Sequence, residues 1–185
     1  MTWTAIDWPA LDRLRAGFLS GSAAAGPYWQ SPADLAGYDF TYGERIGWKW
    51  DAVLAELRLR GWQPSARTIH DWGCGSGVAS RRVMACFGPE NFDALHLWDH
   101  SPLACDYAAT AAQTAFPSLN VITADPSLSS QLSTLGSSPD PIGLLIISHV
   151  LNELSPNATA ELDALIARAS AVIWVEPGAH EVSRQ

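Results

Sequence analysis

Short apolar runs alternate with longer amphipathic segments along most of this chain. Five runs have the length and apolar character of strands, and in order they are RTIHDW, DALHLWD, NVITAD, IGLLIISHV and AVIWVEPG. The segments between them have helical length, except for the polar stretch SSQLSTLGSSPDP, which has room for at most a short helix. IGLLIISHV is apolar almost throughout, which is typical of a central strand covered on both faces. The alternation predicts an α/β fold with a doubly wound parallel sheet.

A different pattern precedes this alternation. The segment WPALDRLRAGFLS predicts a short helix, and the apolar side chains on its predicted inner face are Leu11, Leu14, Phe18 and Leu19. The segment PYWQSPADLAGYDFTYG contains two prolines and several aromatic residues and predicts an irregular connection. A longer helix is predicted from Glu44 onward. We therefore expect an N-terminal helical and irregular cap over residues 1–42 and an α/β domain over residues 43–185.

The composition narrows the class of protein. The 185 residues are 48% apolar, which is enough for one hydrophobic core. The three cysteines, Cys74, Cys86 and Cys105, form no C-x-x-C pair, so we expect neither a disulfide framework nor a bound metal. The sequence shows no membrane-spanning run and no secretory leader, and we expect a cytoplasmic protein without a membrane partner. A formal net charge of −8 disfavours tight binding of polyanions.

A glycine-rich stretch, HDWGCGSG, follows the first predicted strand at residues 70–77. Loops at this position bind the ligand in doubly wound sheets. The spacing G-x-G-x-G differs from the dinucleotide fingerprint, because Val78 stands where the last glycine would be, and no P-loop Gly-Lys-Ser/Thr follows. A carboxylate at Asp71 would also repel a pyrophosphate. These features disfavour a nicotinamide dehydrogenase and favour a cationic ligand such as S-adenosylmethionine.

Two further acidic residues end predicted strands. Asp99 ends the second strand, where an acidic residue accepts hydrogen bonds from ribose hydroxyls in nucleotide-binding α/β folds. Alternatively, Asp99 caps the next helix, for which Ser101 is the predicted N-cap. Asp125 ends the third strand, where it could meet an adenine amino group or could serve only as a turn residue before Pro126.

The motifs HDWGCGSG, LWDHS, TAD and IISHVLNEL resemble those of Rossmann-fold S-adenosylmethionine-dependent methyltransferases. More narrowly, YDFTYGERIGWKWDAVL, DWGCGSGVASR, SHVLNEL and VEPG resemble the bacterial branch of the methyltransferase-like family associated with the mitochondrial small ribosomal subunit. The resemblance runs from about Tyr38 to Gly178. It implies strand order 3-2-1-4-5, S-adenosylmethionine as cofactor with S-adenosylhomocysteine as product, and small-subunit ribosomal RNA or a ribosomal protein as partner.

The same resemblance implies a set of cofactor contacts. It assigns the methionine end of the cofactor to the glycine loop, the ribose to Asp99 and the adenine to Asp125. Arg45 is a candidate for the cofactor carboxylate, or else a surface residue of its helix. The residues predicted to bind the cofactor are Arg45, Asp71, Gly73, Cys74, Gly75, Gly77, Asp99, His100, Ser101, Asp125 and Ser148.

The segment SHVLNEL follows the fourth predicted strand, over which the methyl acceptor approaches in this fold. His149 and Asn152 are the candidate catalytic residues. His149 could accept a proton, orient the acceptor, or only link the strand to its loop. Asn152 could instead cap the next helix. Glu176, at the end of the fifth strand, could anchor the turn that follows it.

The chain departs from the resembled pattern in two respects. It has no cysteine beyond Cys105, where members of that family often carry cysteines that can hold a metal cluster, and we therefore expect no metal. The second departure leaves alternatives open. The chain has no room for the usual strands six and seven, so it is either a C-terminally truncated fragment or has a free edge at strand five that favours a homodimer. The acidic balance and the lack of a specific acceptor motif leave a second function open. The chain is expected to be a methyltransferase for a ribosomal component or, alternatively, a non-catalytic cofactor-binding ribosome-assembly factor.

Overall fold

The computed structural model describes residues 1–20, 28–123, 141–151 and 154–178. Its centre is a parallel sheet in the order β3-β2-β1-β4-β5. The strands are β1 (Thr68–Trp72), β2 (Ala94–Trp98), β3 (Asn120–Thr123), β4 (Leu144–Ser148) and β5 (Ala171–Val175). Asp71 of β1 lies opposite Leu97 of β2 and Ile146 of β4, so β1 and β4 lie side by side at the middle of the sheet. The predicted fold class and strand order are confirmed.

The described residues contain six α-helices, four of which cover the sheet. The six are α1 (Trp8–Ser20), α2 (Pro32–Tyr38), α3 (Glu44–Leu59), α4 (Val78–Phe87), α5 (Pro102–Ala115) and α6 (Pro156–Ile166). Ser155 begins α6, because its hydroxyl accepts a hydrogen bond from the Ala158 amide at 3.2 Å and Pro156 occupies the first helical position. None of these helices is long and apolar enough to cross a bilayer.

The segment predicted as irregular is helical, so this prediction was wrong. It forms α2 and a π-helical turn, Asp39–Gly43, that continues directly into α3. The physical reason lies at the start of α2. The Ser31 hydroxyl accepts a hydrogen bond from the Asp34 amide at 3.2 Å, and Pro32 occupies a first-turn position where its missing N–H costs nothing. A proline that was interpreted as a helix breaker therefore starts a helix.

The sheet separates two hydrophobic layers. On one face, α3, α4 and α5 cover a cluster that includes Ile69, Leu95 and Ile146. On the other face, α6 packs against Leu145 through side chains such as Leu162. The four apolar residues of β4 are completely buried, as expected for a central strand covered on both sides.

The N-terminal helices have a core of their own that includes a residue of the sheet domain. Leu11, Leu14 and Leu35 are buried in one cluster with Ala104 of α5. Leu19 was predicted on the inner face of α1 but is 76% exposed, because it lies in the last turn, whereas the preceding Phe18 packs on aromatic rings of the N-terminal segment. The N-terminal segment therefore lies against α5, close to the carboxyl ends of the strands. β5 lies at one edge of the sheet, and the homodimer through that edge stays a prediction.

Candidate functional site

A cavity of about 260 Å³ lies at the carboxyl ends of β1, β2 and β4. Its walls come from the glycine loop after β1, the residues after β2 and β4, the start of α6, and aromatic residues of the N-terminal segment. The predicted site residues that line it are Gly73, Cys74, Gly75, Asp99, His100, Ser148 and His149. The structure thus brings together residues from three strand ends at the position expected for a ligand in a doubly wound sheet.

Four of the predicted site residues do not line this cavity. Asp71 and Gly77 are buried away from the cavity, and Ser101 is buried at the start of α5. Arg45 is exposed on α3 beside the cavity-lining Ile46. Arg45 makes no ion pair or hydrogen bond within the described residues. Asp125 and Asn152 lie outside the described residues, so their roles stay predictions.

Gly73 and Gly75, the first two glycines of the loop, have different structural roles. The amides of Gly73 and Cys74 donate to the Trp98 carbonyl at 2.8 and 2.9 Å, which ties the loop to the end of β2. Gly73 has φ +72°, and a Cβ there would lie 2.6 Å from the Val150 side chain. Gly75 has φ +51°, lines the cavity, and would meet nothing within 4 Å. Gly73 permits close packing inside the protein, and Gly75 leaves space on the cavity side.

Asp99 holds two backbone segments together at the cavity wall. Its Oδ2 accepts the Gly75 amide at 3.0 Å and its Oδ1 accepts the Ser101 amide at 2.9 Å. Burial raises the pKa of Asp99, and the neighbouring His100 and these two amides oppose the shift. Each carboxylate oxygen has a further lone pair for a ligand hydroxyl. Asp99 therefore holds the amide of Ser101, the N-cap residue of α5, whose own side chain makes no capping hydrogen bond. Ribose binding stays a prediction that this geometry permits.

Asp71 lies on the opposite face of β1 from the cavity-lining Trp72, because successive strand residues point to opposite faces. It is 1% exposed, and within the described residues its carboxylate makes only weak contacts with the hydroxyl and the amide of Ser80 in α4, outside ordinary hydrogen-bond geometry. Burial raises the pKa of Asp71 to about 7, although Ser80 of α4 acts in the opposite direction. Any attraction of Asp71 for a cationic ligand would act through the loop rather than by contact.

His149 follows β4 with a left-handed backbone, φ +58°. Its Nε2 lies 3.0 Å from Lys49 Nζ, and its Nδ1 lies 3.2 Å from Ser148 Oγ. The Trp50 indole N–H donates to the same Ser148 Oγ at 2.9 Å. Burial, and then the Lys49 charge, lower the pKa of His149 to about 4. Lys49 and Trp50 were not among the predicted site residues, and both lie about 100 positions from His149 along the chain.

Glu176 fixes the loop that contains His149. Its Oε1 accepts hydrogen bonds from the Val150 amide at 3.1 Å and the Trp174 indole at 2.6 Å. The His149 amide donates to the Val175 carbonyl at 2.9 Å. The contacts show that Glu176 anchors the chain after β4, and its expected anchoring of the turn after β5 stays a prediction.

Aromatic rings form much of the cavity wall. Trp72 and Trp98 stack with centroids 4.9 Å apart, and Trp29 and Tyr38 approach from the N-terminal segment. A signal for the stacked pair was present in the sequence, because TIHDW and ALHLW both carry tryptophan as the fifth residue of a strand. Parallel pairing in register places these two side chains next to each other.

The N-terminal segment is also bound to the glycine loop by charge. Arg81 of α4 donates to both carboxylate oxygens of Asp39, at 2.6 and 2.8 Å, and to the Gly77 carbonyl at 3.2 Å. Tyr107 of α5 donates to Asp39 at 3.3 Å, and burial raises the pKa of Tyr107 to about 12. The π-helical turn is thereby fixed to the loop that borders the cavity.

No protein-family model and no curated protein matches this sequence. Solved structures do share its fold. The mitomycin 7-O-methyltransferase MmcR is 17% identical, with a TM-score of 0.55 over 95% of this chain and 53% of that one. An O-methyltransferase family protein from Burkholderia thailandensis is 14% identical, with a TM-score of 0.55 over 88% of this chain and 47% of that one.

A third structure, the plantazolicin methyltransferase BpumL in complex with SAH, is 14% identical, with a TM-score of 0.51 over 87% of this chain and 58% of that one. The chain thus spans about half the length of the solved structures that it matches. At these identities the likeness concerns the fold. The five-stranded parallel sheet in the order 3-2-1-4-5, flanked by helices, is that of a Rossmann-like methyltransferase.

Proposed function

We propose that this chain binds S-adenosylmethionine and transfers its methyl group to an acceptor. The observation that carries the proposal is the cavity at the strand ends, where the open Gly75 lies next to the buried Asp99 carboxylate. Among the described residues that line the cavity, none is a lysine or an arginine. A pyrophosphate at Gly75 would lie beside the Asp99 carboxylate with no lysine or arginine among the described residues at that end of the cavity, whereas a sulfonium nucleoside would not be repelled.

The residues present fit this cofactor. The backbone at Gly75 has room for a ligand, and Asp99 has lone pairs for ribose hydroxyls. When bound, S-adenosylmethionine supplies a methyl group on a positively charged sulfur. The protein's task is then to hold the acceptor in line with that methyl group and to exclude water, which the aromatic wall of the cavity favours. The methyltransferase names of the solved structures with this fold support the same proposal.

The proposal also concerns the chemical class of the methyl acceptor. The resemblance implies a ribosomal component, but the charge balance favours a small molecule, because the net charge is −8. In the part of the chain that the structure describes, several arginines are also paired with carboxylates, which reduces the positive charge available to bind RNA. These arginines are Arg13, Arg60, Arg67, Arg81 and Arg82. We therefore propose a small acceptor that enters the cavity, and the ribosomal acceptor is the alternative that the turnover test decides.

Calorimetric titration with S-adenosylhomocysteine and with NAD tests the cofactor. We expect heat with S-adenosylhomocysteine and none with NAD. Asp99→Asn should weaken binding about tenfold or more, because a charge-assisted hydrogen bond to the ligand is lost. Asp93→Asn is the matched control, since Asp93 is an exposed residue beside the opposite end of β2 that pairs with Arg67. Binding of NAD without binding of S-adenosylhomocysteine would overturn the proposal.

A second experiment separates transfer from binding alone. Protein is incubated with S-adenosylmethionine labelled in the methyl group, and label is counted in small aromatic acids, in small-subunit ribosomal RNA and in small-subunit ribosomal proteins. Label in a small acid supports the proposal, and label only in a ribosomal component supports the acceptor implied by the resemblance. Cofactor binding without label in any of these supports the non-catalytic assembly factor.

A further inference from the structure

Two residues of α3 and two at the end of β4 form a hydrogen-bonded group that we name the β4 cluster: Lys49, Trp50, Ser148 and His149. Trp50 is completely buried, and Ser148 and His149 line the cavity. Lys49 reaches His149 from the exposed side of α3. The cluster therefore connects the interior of the protein, the cavity and the solvent.

The proton positions in the cluster follow from the donor inventory. An ammonium group only donates, so the Lys49 N–H donates to His149 Nε2, which must be unprotonated. The imidazole proton is then on Nδ1, which donates to Ser148 Oγ. The opposite tautomer would point the Nε2 proton at the ammonium across 3.0 Å, which is repulsive.

The same inventory shows what the cluster has left for a ligand. Ser148 Oγ accepts hydrogen bonds from two N–H groups, those of Trp50 and His149. The only hydrogen-bonding group that it has left is its own O–H, which is a donor. Lys49 keeps two unused N–H groups and has no carboxylate partner among the described residues. Every remaining group is a donor. A ligand atom that binds here must therefore be an acceptor, and the ammonium charge favours a negatively charged oxygen.

The backbone conformation of His149 also indicates a binding site. A non-glycine residue with φ +58° is strained and persists only where the surrounding structure holds it. Here the His149 amide donates to the Val175 carbonyl and the next amide donates to Glu176. The strained conformation places the imidazole between Lys49 and Ser148, and residues held in this way cluster at binding sites.

We propose that the β4 cluster binds a carboxylate oxygen of the methyl acceptor, whose apolar part lies against Val150, Leu154 and Ala158 in the cavity. This inference rests on the proposed methyl transfer. In the proposed complex, Ser148 and Lys49 contact the methyl acceptor. His149 is a positioning residue that orients Lys49, and it does not take up a proton. The neutral state of His149, whose pKa burial lowers to about 4, agrees with that role.

The test uses benzoate as an anionic probe and benzamide as its uncharged counterpart, titrated into the protein with and without saturating S-adenosylhomocysteine. We expect benzoate to bind more tightly than benzamide. Lys49→Met should weaken benzoate binding about tenfold and leave benzamide unchanged, because only the charged contact is lost. Arg58→Met, which removes the same charge from an exposed position near the other end of α3, should leave benzoate binding within about twofold.

The outcomes separate this proposal from the proposed function. If Lys49→Met weakens S-adenosylhomocysteine as much as benzoate, the cluster binds the cofactor carboxylate and the proposal is overturned. If S-adenosylhomocysteine binds but benzoate does not distinguish Lys49→Met from wild type, the proposal fails and the proposed function stands. If S-adenosylhomocysteine does not bind, the proposed function fails, and with it the assignment of the carboxylate to a methyl acceptor.

The tautomer of His149 gives an independent readout. Long-range ¹H–¹⁵N spectra of the imidazole should show the proton on Nδ1 in the wild type. His149→Asn, which keeps a residue tolerant of the left-handed conformation, should weaken benzoate binding less than Lys49→Met does. A proton on Nε2 in the wild type would contradict the donor inventory and overturn the proposal.

Discussion

Gly73 and Gly75 share a positive φ but should respond differently to the same substitution. Gly73→Ala places a Cβ 2.6 Å from Val150, whereas Gly75→Ala meets nothing within 4 Å. We expect Gly73→Ala to destabilise the protein by about 2–3 kcal/mol and Gly75→Ala by about 1 kcal/mol, the cost of the left-handed backbone alone. Gly75→Ala should nevertheless weaken S-adenosylhomocysteine at least tenfold, because its methyl group enters the cavity.

Chemical denaturation and calorimetry measure these two effects separately. Stability is compared by urea unfolding, and affinity by titration of each folded variant. Equal affinity of Gly75→Ala and wild type would show that the ligand does not approach this glycine. Equal stability of the two variants would contradict the close packing of Gly73 on Val150.

The buried Asp71 makes stability depend on pH. Its pKa of about 7 in the folded protein lies above its ordinary value of 3.8, so between these values the folded state holds a proton that the unfolded state has lost. This contribution to the free energy of unfolding is fully present below about pH 4, decreases as the pH rises towards 7, and is lost above about pH 7. We expect a total of about 4 kcal/mol.

Melting temperatures from pH 5 to pH 8 check this expectation. Asp71→Asn removes the ionisation. The melting temperature of the variant relative to the wild type should therefore rise with pH, and the difference should level off above about pH 7. Asp106→Asn removes the same charge from an exposed position on α5 and serves as the control. A difference between Asp71→Asn and wild type that is independent of pH would contradict the burial of an ionisable group.

At the scale of elements, the Arg81–Asp39 pair fixes the π-helical turn to α4. Both side chains are largely buried, 24% and 17% exposed, and Asp39 has two donors from Arg81 and one from Tyr107. We expect Asp39→Asn to cost about 1–2 kcal/mol, because charge-assisted hydrogen bonds to Arg81 are lost. Glu56→Gln breaks the exposed Glu56–Arg60 pair of α3 and should cost about 0.5 kcal/mol or less.

Urea unfolding of the two variants is the measurement, with titration of S-adenosylhomocysteine as a second readout. Arg81 also donates to the Gly77 carbonyl, so release of Asp39 should disturb the glycine loop and weaken the ligand as well. Equal stability losses for Asp39→Asn and Glu56→Gln would mean that burial adds nothing to the Arg81 contact.

The elements that could be predicted from sequence are those with a local cause. The strands are apolar runs bounded by glycine or acidic residues, and β4 is apolar because both of its faces are covered. The helical segment α2 was missed because Pro32 was interpreted as a helix breaker and Gly37 is a weak helix former, and the decisive contacts of α2 are distant ones, with α1 and α5. Tertiary packing outweighed local propensity there.

The candidate site divides in the same way. The glycine loop and Asp99 are contiguous motifs at strand ends, so their meeting at the cavity follows from the order of the strands. The Lys49–His149 contact joins α3 to the loop after β4, and nothing in the local sequence of either segment indicates it. Asp71 was expected to face the ligand, but the alternation of side chains along β1 turns it to the other face of the sheet.

At the scale of the whole molecule, the N-terminal segment and the sheet domain share both a core and a cavity wall. Leu14 of α1 is buried with Ala104 of α5, and Trp29 is both part of this cluster and a lining residue of the cavity. Stability of the N-terminal helices and affinity for the ligand should therefore be coupled.

A pair of leucines on α1 tests this coupling. Leu14 is 2% exposed and Leu19 is 76% exposed, so Leu14→Ala should cost about 2–4 kcal/mol and Leu19→Ala within about 0.5 kcal/mol of zero. Because α1 supports the aromatic wall, Leu14→Ala should also weaken S-adenosylhomocysteine several-fold and raise amide hydrogen exchange in α2. Loss of stability in Leu14→Ala with unchanged affinity would mean that the sheet domain forms the cofactor site without the N-terminal helices.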